Sequence, residues 1–429
     1  MTGSTAQPLA SSTVAQTLPL QPWMTHPATR AVMGALSGDS DGEVARFVGG
    51  CVRNALIGRP VADIDIATVL TPDEVTRALE RAGLRAVPTG VAHGTITAVA
   101  DGRPFEITTL RRDVETDGRR AVVAFTDDWA KDAARRDFRL NALYADVAGR
   151  LYDPTGGGVA DALAGRILFV GDAATRIAED ALRILRFFRF LAWYGRGAPD
   201  APALSACRES RELLRGLSAE RVAKELLTLL AAEDPRAAVA LMAGAGVLAV
   251  ALPEAVGLGR FDQLVGIETE MLFSEDALLR LAALLPDDPG VAASVAQRLR
   301  LSSAQRDRLV GALTPDPAIV SWMSPRQVRQ AVYRRGAQAF CDRVTLAWAA
   351  SPRPATTPQW RALLPMARSW PRPTLPLTGE EVMAAGVPNG PLVGDVLREV
   401  ETWWIDNDFV TDKLSVIERL KAVAQGMAY

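Results

Sequence analysis

Asp63 and Asp65 stand two residues apart in the run Asp63-Ile64-Asp65-Ile66. On a strand, that spacing points both carboxylates to one face. A hard divalent cation such as Mg2+ takes carboxylate oxygens and completes its shell with phosphates and water. Two such ions side by side would activate an attacking hydroxyl and stabilise a leaving pyrophosphate. A solvated acidic strand edge would carry the same pair, but neighbouring acids repel and are depleted from strands. Just upstream, Gly49 and Gly50 follow the apolar strand Arg46-Phe47-Val48. A glycine pair lets backbone N–H groups approach an anion, and Arg53 in the turn that follows can fork onto phosphate oxygens. Glu106, between Phe105 and Ile107 on another apolar strand, should face away from the core. It would serve there as a third carboxylate or as an ordinary solvent-facing residue. Together these residues suit a nucleoside triphosphate with Mg2+.

Two further stretches carry charge in a pattern. Ala134 to Leu143 places Arg135, Arg136, Arg139 and Asn141 around a short helical turn, with Asp137 near enough to orient an arginine. Three arginines within five residues invite a polyanion; local ion pairs on a solvated face, each worth under about 1 kcal/mol, are the alternative. In Glu179 to Gly195, Asp180, Arg183, Arg186 and Arg189 recur every third residue, which forms one polar ridge on a single helix. The rest of that helix is apolar enough to be buried, so the ridge should line a cleft. An Asp beside an Arg presents an acceptor next to donors. Cytosine and adenine share the matching edge, an amino donor beside a ring-nitrogen acceptor, whereas guanine and uracil reverse it. Asp180 and Arg183 would thus admit C and A; a purely structural ridge of ion pairs remains the other interpretation.

The elements that must hold these residues change character along the chain. Strands and helices alternate to about residue 150. Thr71-Pro72-Asp73-Glu74 is a helix start, with an N-cap threonine, proline at the first helical position and early acids, and Gly83 ends that helix. Leu84–Val87, Gly94–Ala100 and Pro104–Leu110 are expected strands, with His93-Gly94 at a turn. Arg111–Phe125 is expected to be a mobile loop, and Asp128–Asn141 one helix. From Ala160 onward the pattern is almost all helical, and the proline-rich stretches Ser351–Thr357 and Trp370–Leu377 are expected to be linkers. The fold class is therefore α+β: a mixed sheet with helices, followed by all-helical parts.

Composition sets limits. The chain has 429 residues, a formal net charge of −2, two histidines and three cysteines. Bulk charge announces no nucleic-acid partner, so any basic surface is local. Cys51, Cys207 and Cys341 form no CxxC, which excludes a disulfide framework or structural zinc site and makes a reducing cytoplasm the expectation. His26 and His93 are too few for a histidine-rich metal site. Residues 1–27 show neither a basic start nor a continuous apolar core, and a poorly ordered arm is expected there, at least up to Leu18. The longest uncharged run, Ala237 to Pro253, falls short of the roughly 20 residues a membrane span needs; no membrane partner is expected.

The order GGCVRNALIG, DIDIAT, HGTI, FEITTLRRD, RRDFRLNAL, DPTGGGVADALAGR, EDALRILRFFRF and LSAERVAKEL, from Arg46 to Leu227, resembles the motif series of class II tRNA nucleotidyltransferases. That group includes CCA-adding enzymes and bacterial poly(A) polymerases, within the polymerase-β superfamily. The stretch from Pro376 to Phe409 is similar to the family's C-terminal region. The resemblance implies a polymerase-β-like head at 28–158, a helical neck with the nucleotide-selecting helix at 159–234, a helical body at 235–350 and an RNA-binding tail at 351–429. It implies that Asp63 and Asp65 bind catalytic Mg2+ with Glu106 as the third carboxylate. Gly49, Gly50, Arg53 and Arg136 would hold the triphosphate, Asp180 and Arg183 would template the base, Arg186 and Arg189 would lie near the nucleotide, and Glu220 and Arg221 would buttress that helix. The implied partners are the tRNA 3′ end, CTP and ATP. Two positions depart from the family pattern. Asn54 stands where an aspartate is usual and is expected to hold Arg53 more loosely. Arg139 stands where threonine is common and is expected to add charge near the nucleotide. A poly(A) polymerase on the same scaffold would favour a strongly basic extension and, with a pI near 5.9, is expected to rank second; a non-catalytic RNA-binding relative would have little use for the full set of acids and arginines.

Overall fold

The chain divides into two units, Met1–Pro253 and Glu254–Tyr429. The computed structural model describes residues 14–37, 43–90, 94–116, 121–316, 318–409 and 412–426.

The first unit is built on an eight-stranded sheet in the order β1-β10-β9-β2-β3-β6-β5-β4. The strands are β1 (Val14–Thr17), β2 (Ala45–Val48), β3 (Asp65–Thr68), β4 (Arg85–Gly90), β5 (Thr95–Ala100), β6 (Arg103–Thr109), β9 (Tyr144–Ala145) and β10 (Arg150–Tyr152). A separate hairpin joins β7 (Arg111–Thr116) to β8 (Ala121–Phe125). The sheet pairs are antiparallel except β3 with β6, whose parallel register sets Asp65 opposite Glu106. Burial alternates along β5, whereas β2 is buried throughout, as expected for a half-covered and a central strand.

The helices of this unit are α1 (Pro22–Thr25), α2 (Pro27–Ser37), α3 (Gly50–Leu56), α4 (Pro72–Arg81), α5 (Trp129–Ala134), α6 (Gly158–Ala164), α7 (Ala173–Glu179), α8 (Leu182–Tyr194), α9 (Ala201–Glu209), α10 (Ala219–Leu230), α11 (Arg236–Gly244) and α12 (Val247–Ala251). The expected start of α4 is present as a capping box between Thr71 and Glu74 with Pro72 in the first turn. A core of Phe47, Ile66, Phe105 and Ile107 lies within the sheet. A second aromatic cluster seats α8: Phe138 lies 4.9 Å from both Phe169 and Phe190, and Phe169 stacks on Phe187 at 5.9 Å.

Four local expectations need correction. The N-terminal arm is ordered from Val14 within the described residues: β1 pairs with β10, Leu18 N donates to Gly149 O at 2.7 Å, and Leu18 and Met24 are buried. The uncovered edge of β10 recruits the segment, which its polar composition does not reveal. Residues 1–13 lie outside the described residues, as does His93. Within the expected loop, Arg111–Thr116 and Ala121–Phe125 are paired antiparallel strands, because backbone groups on the two arms pair despite the charged composition; residues 117–120 lie outside the described residues. The helix expected over Asp128–Asn141 stops at Ala134 and resumes only as a 3-10 turn, Arg139–Asn141; the intervening Phe138 is extended and bridges to Phe169. The single helix expected from Glu179 is two helices, α7 and α8, broken at Asp180.

The second unit is helical: α13 (Gly259–Met271), α14 (Ala277–Leu284), α15 (Pro289–Arg298), α16 (Ser303–Leu313), α17 (Pro325–Arg335), α18 (Ala337–Ala350), α19 (Thr357–Ser369), α20 (Gly379–Ala384), α21 (Pro391–Asp406) and α22 (Lys413–Gly426). Capping boxes open α16, α17 and α20. One core gathers Tyr333 with Val382, Val396, Val400, Trp404 and Phe409. A second feature is a fully buried Arg280, whose Nε donates to Glu268 at 2.6 Å.

Candidate active site

The β3–β6 register brings the sequence-predicted acids together. Asp65 opens β3, opposite Glu106 on β6. Asp63 precedes the strand rather than lying on it and is more exposed. The Asp65 carboxyl is pushed up to about 6 by burial and then by Glu106 and Asp63, against a lowering by Arg136. Like charges crowded at one strand edge are relieved by a cation, and the donors are hard oxygens suited to Mg2+. Among the described residues no three His, Cys, Asp or Glu side chains close into a metal cage. Two or three carboxylates on an open edge leave the remaining coordination positions to phosphate and water, which is how magnesium is usually held at nucleotide sites.

The glycine pair lies at the start of α3. Gly49 has φ 72°, a left-handed backbone that only glycine adopts at little cost. A Cβ on Gly49 would lie 3.8 Å from Arg136 Nη1, and one on Gly50 would lie 3.8 Å from Arg53 Nη2. The structure thus gathers Gly49, Gly50, Arg53 and Arg136, as the sequence suggested. The two arginines are held differently. Arg136 Nη2 donates to the Asp132 carboxylate at 2.9 Å, and its Nε to Asp132 and to the Tyr144 hydroxyl at 3.1 and 3.2 Å. Arg53 is 6% exposed and, among the described residues, has neutral hydrogen-bond partners: Nη1 donates to Asn141 Oδ1 at 2.5 Å, Nε and Nη2 to Asn54 Oδ1 at 3.1 and 2.9 Å, and Nη2 to the Tyr194 hydroxyl at 2.7 Å. The Tyr194 ring lies 4.0 Å from the guanidinium. Asn54 itself is fixed by donating Nδ2 to Pro60 O at 2.9 Å. The expected loosening at Asn54 is therefore not seen: the amide accepts two bonds from Arg53 without neutralising it. Arg139 Nη1 lies 3.8 Å from Asp161, and the side chain packs on Gly157.

The polar ridge of the α7–α8 region is real but broken. Asp180 is the junction residue: its Oδ1 accepts from Leu182 N at 3.1 Å, capping α8, and its Oδ2 accepts from Arg221 Nη2 at 2.7 Å. Arg221 on α10 thus braces Asp180, as expected of it. Arg183 does not pair with Asp180. Its Nη1 donates to Glu179 at 2.6 Å and Arg176 O at 2.7 Å, and its Nη2 to Arg135 O at 3.0 Å. Among the described residues, these bonds leave Nε–H and one Nη2–H of Arg183 without a partner. Arg186 donates from Nε to Asp137 Oδ2 at 2.8 Å, and its Nη1 lies 3.6 Å from Glu225. Arg189 Nε donates to Glu225 at 2.5 Å. Burial would raise the Asp137 carboxyl, but Arg186, the Asn141 amide and Phe138 N hold it below the ordinary carboxylate range. Glu225 and Tyr194 were not singled out from the sequence. Glu225 carries a weak signal, an acid among the apolar positions Val222, Leu226 and Leu229 of α10; Tyr194 carries none.

The chain matches two family models, "Poly A polymerase head domain" over residues 45–168 and "Probable RNA and SrmB- binding site of polymerase A" over 200–257. It is similar to CCA tRNA nucleotidyltransferase 1, mitochondrial, of Danio rerio, 32% identical over 394 residues covering 87% of this chain and 86% of the relative. The Homo sapiens protein of the same name is 31% identical, with 88% and 86% covered. The CCA-adding enzyme of Geobacillus sp. (strain WCH70) is 40% identical over 47% of this chain and 48% of the relative. Among solved structures, the Bacillus stearothermophilus CCA-adding enzyme in complex with CTP superposes with a TM-score of 0.75 at 26% identity, covering 94% of this chain and 98% of that one. The Thermotoga maritima CCA-adding enzyme complexed with tRNA_CCA superposes with a TM-score of 0.62 at 21% identity over 89% and 91%, a likeness of fold. No helix among the described residues is long and apolar enough to cross a membrane. With the sheet, the helical remainder and about a third of all residues shared across the length of such relatives, this chain belongs to the CCA tRNA nucleotidyltransferase family.

Proposed function

We propose that this enzyme transfers CMP and AMP from CTP and ATP to the 3′ end of tRNA, without a nucleic-acid template, to build or repair the CCA terminus. The observation that carries this reading is the meeting of Asp65 and Glu106 across β3 and β6 beside the Gly49–Arg53 turn. In this reading Asp63 and Asp65 hold Mg2+, and Glu106 completes the carboxylate edge. Bound there, Mg2+ would lower the charge on the triphosphate and favour the ionised 3′-hydroxyl. Gly49 and Gly50 offer backbone to the phosphates, and Arg53 and Arg136 hold them in line for attack at the α-phosphate, with pyrophosphate leaving. Asp180 has lone pairs beyond those used by Leu182 N and Arg221, and can accept the amino group of cytosine or adenine while Arg183 donates to the adjacent ring nitrogen. Arg186 and Arg189 flank the nucleotide, already oriented by Asp137 and Glu225.

The division into head (28–158), neck (159–234), body (235–350) and tail (351–429) is part of this proposal, with the helical parts holding the tRNA. So is a cytoplasmic location: the three cysteines are free and buried, which suits a reducing compartment.

The test is to incubate tRNA lacking its 3′ CCA with CTP, ATP or both, with Mg2+, and to sequence the ends. The expected product is CCA and nothing longer; long A tails would replace this reading with a poly(A) polymerase. Asp63→Ala or Asp65→Ala should abolish incorporation while tRNA binding, followed by gel shift, survives. Full activity in either variant would remove the metal assignment.

A further inference from the structure

The triphosphate half and the base half of this site sit on different elements; Tyr194 at the end of α8 touches Arg53 directly, and a relay through Asn141 links Arg53 to the arginines of α8. Asn141 lies on the 3-10 turn before β9 and is 8% exposed. Its Oδ1 accepts from Arg53 Nη1 at 2.5 Å, and its Nδ2 donates to Asp137 Oδ1 at 3.0 Å. The other oxygen of Asp137 accepts from Arg186 Nε at 2.8 Å. Arg186 Nη1 lies 3.6 Å from Glu225, which also receives Arg189 Nε at 2.5 Å. The chain of contacts therefore runs from α3 through the turn to α8 and α10. The orientation of the Asn141 amide is forced, because a guanidinium only donates and an ionised carboxylate only accepts. An aliphatic residue there would leave a buried donor and a buried acceptor short of a partner. A carboxylate there would face Asp137 with like charge.

We propose that Asn141 is a positioning residue that couples the triphosphate grip to base selection, so that a base seated wrongly against α8 loosens Arg53. The physical route is short. A mismatched base displaces the arginines of α8; Asp137 follows Arg186, the Asn141 amide follows Asp137, and Arg53 tilts. The partners of Arg53 are neutral, so no ion pair holds the guanidinium in place when Asn141 moves. Coupling of this kind is reciprocal: the base seated on α8 alters phosphate binding by the same factor as bound phosphate alters base preference, provided the relay through Asn141 is intact. The proposal rests on the function given above.

The test measures binding of CTP, UTP and inorganic pyrophosphate to the full chain by calorimetry. Asn141→Ala should weaken CTP binding and shrink the preference for CTP over UTP by about five- to tenfold. Tyr194→Phe removes one acceptor from Arg53 without touching Asp137; it should weaken both nucleotides equally and leave the ratio unchanged. Asp137→Asn keeps the shape but weakens the hold on Arg186, and should weaken pyrophosphate, a probe with no base, although Asp137 makes no contact with Arg53. Two results overturn the coupling: equal losses for CTP and UTP in Asn141→Ala, or unchanged pyrophosphate affinity in Asp137→Asn. Should Asn141→Ala not fold, the Asp137→Asn measurement decides alone. Wild-type protein that binds CTP and UTP alike would sink the functional reading instead, and the pyrophosphate comparison would still report on the coupling.

Discussion

At residue scale, the unusual feature is an arginine that is buried yet held by neutral groups. Burial lowers the pKa of Arg53, with Tyr194 and Asp137 opposing, but among the described residues no carboxylate bonds to the guanidinium. Its charge is thus left for a ligand. Asn54→Asp should therefore weaken nucleotide binding. The new carboxylate would neutralise Arg53 and would also face Pro60 O, to which the Asn54 amide now donates. The expected change is a rise in KM for CTP and ATP of about tenfold, the equivalent of about 1.4 kcal/mol, with kcat less affected. Asp180→Ala should relax base choice, read as incorporation from UTP and GTP; unchanged rejection of both would count against templating by Asp180. The meeting of Asp65 with Glu106 was legible because acids set among apolar strand residues have few structural uses, whereas the expected strand position of Asp63 was not borne out. The partners of Arg53 were not, because Asn141 and Tyr194 reach it from distant parts of the chain, and nothing local in either residue announces the contact.

At the scale of elements, the break between α7 and α8 matters most. Aspartate is a strong N-cap residue, and Asp180 followed by Ala181 and Leu182 carries that signal, but the three-residue recurrence of charge through Arg183, Arg186 and Arg189 hides it within what looks like one helix. The break leaves Asp180 bonded to Leu182 N and Arg221 rather than to Arg183, so the aspartate is fixed by α8 and α10 together. A second element is set by glycine. A Cβ on Gly158, the first residue of α6, would lie 2.5 Å from Arg139 O and 3.0 Å from a Leu143 methyl. Gly158→Ala should force α6 off the turn that carries Asn141 and destabilise the chain by about 1–3 kcal/mol, measurable by urea unfolding. The strand β1 was illegible for a different reason: a polar four-residue segment acquires its structure from the open edge of β10, a partner more than a hundred residues downstream in the chain (about 135 by sequence numbering).

At the scale of the molecule, each unit has its own buried ionic feature, and that of the second unit gives a pH dependence. The Glu268 carboxyl is pushed up to about 6 from 4.5 by burial, against the lowering effect of Arg280. Its Oε1 has no hydrogen-bond partner among the described residues. The folded state therefore holds this proton more tightly than the unfolded state. The stabilising contribution of the protonated form is complete below about pH 4.5 and is lost as pH rises through about 6, a change of about 2 kcal/mol. Glu268→Gln should flatten that part of the stability profile; an unchanged slope would assign it to other groups. The helical character of the second unit was legible from periodicity and from caps such as Ser302-Gln305 and Thr378-Glu381. The Glu268–Arg280 pairing was not, since it depends on how α13 and α14 pack.

The parallel pairing of β3 with β6 also governs when the protein first becomes competent. Parallel strands cannot be joined by a tight hairpin, and here α4, β4 and β5 lie between them. A nascent chain that has emerged only through Asp63 and Asp65 holds two of the three acids with nothing opposite them. The third arrives when β6 docks beside β3, a non-local closure of the kind that slows folding. Half-made protein on the ribosome is thus barred by its topology from bringing Asp65 and Glu106 together until β6 has been made and docked beside β3.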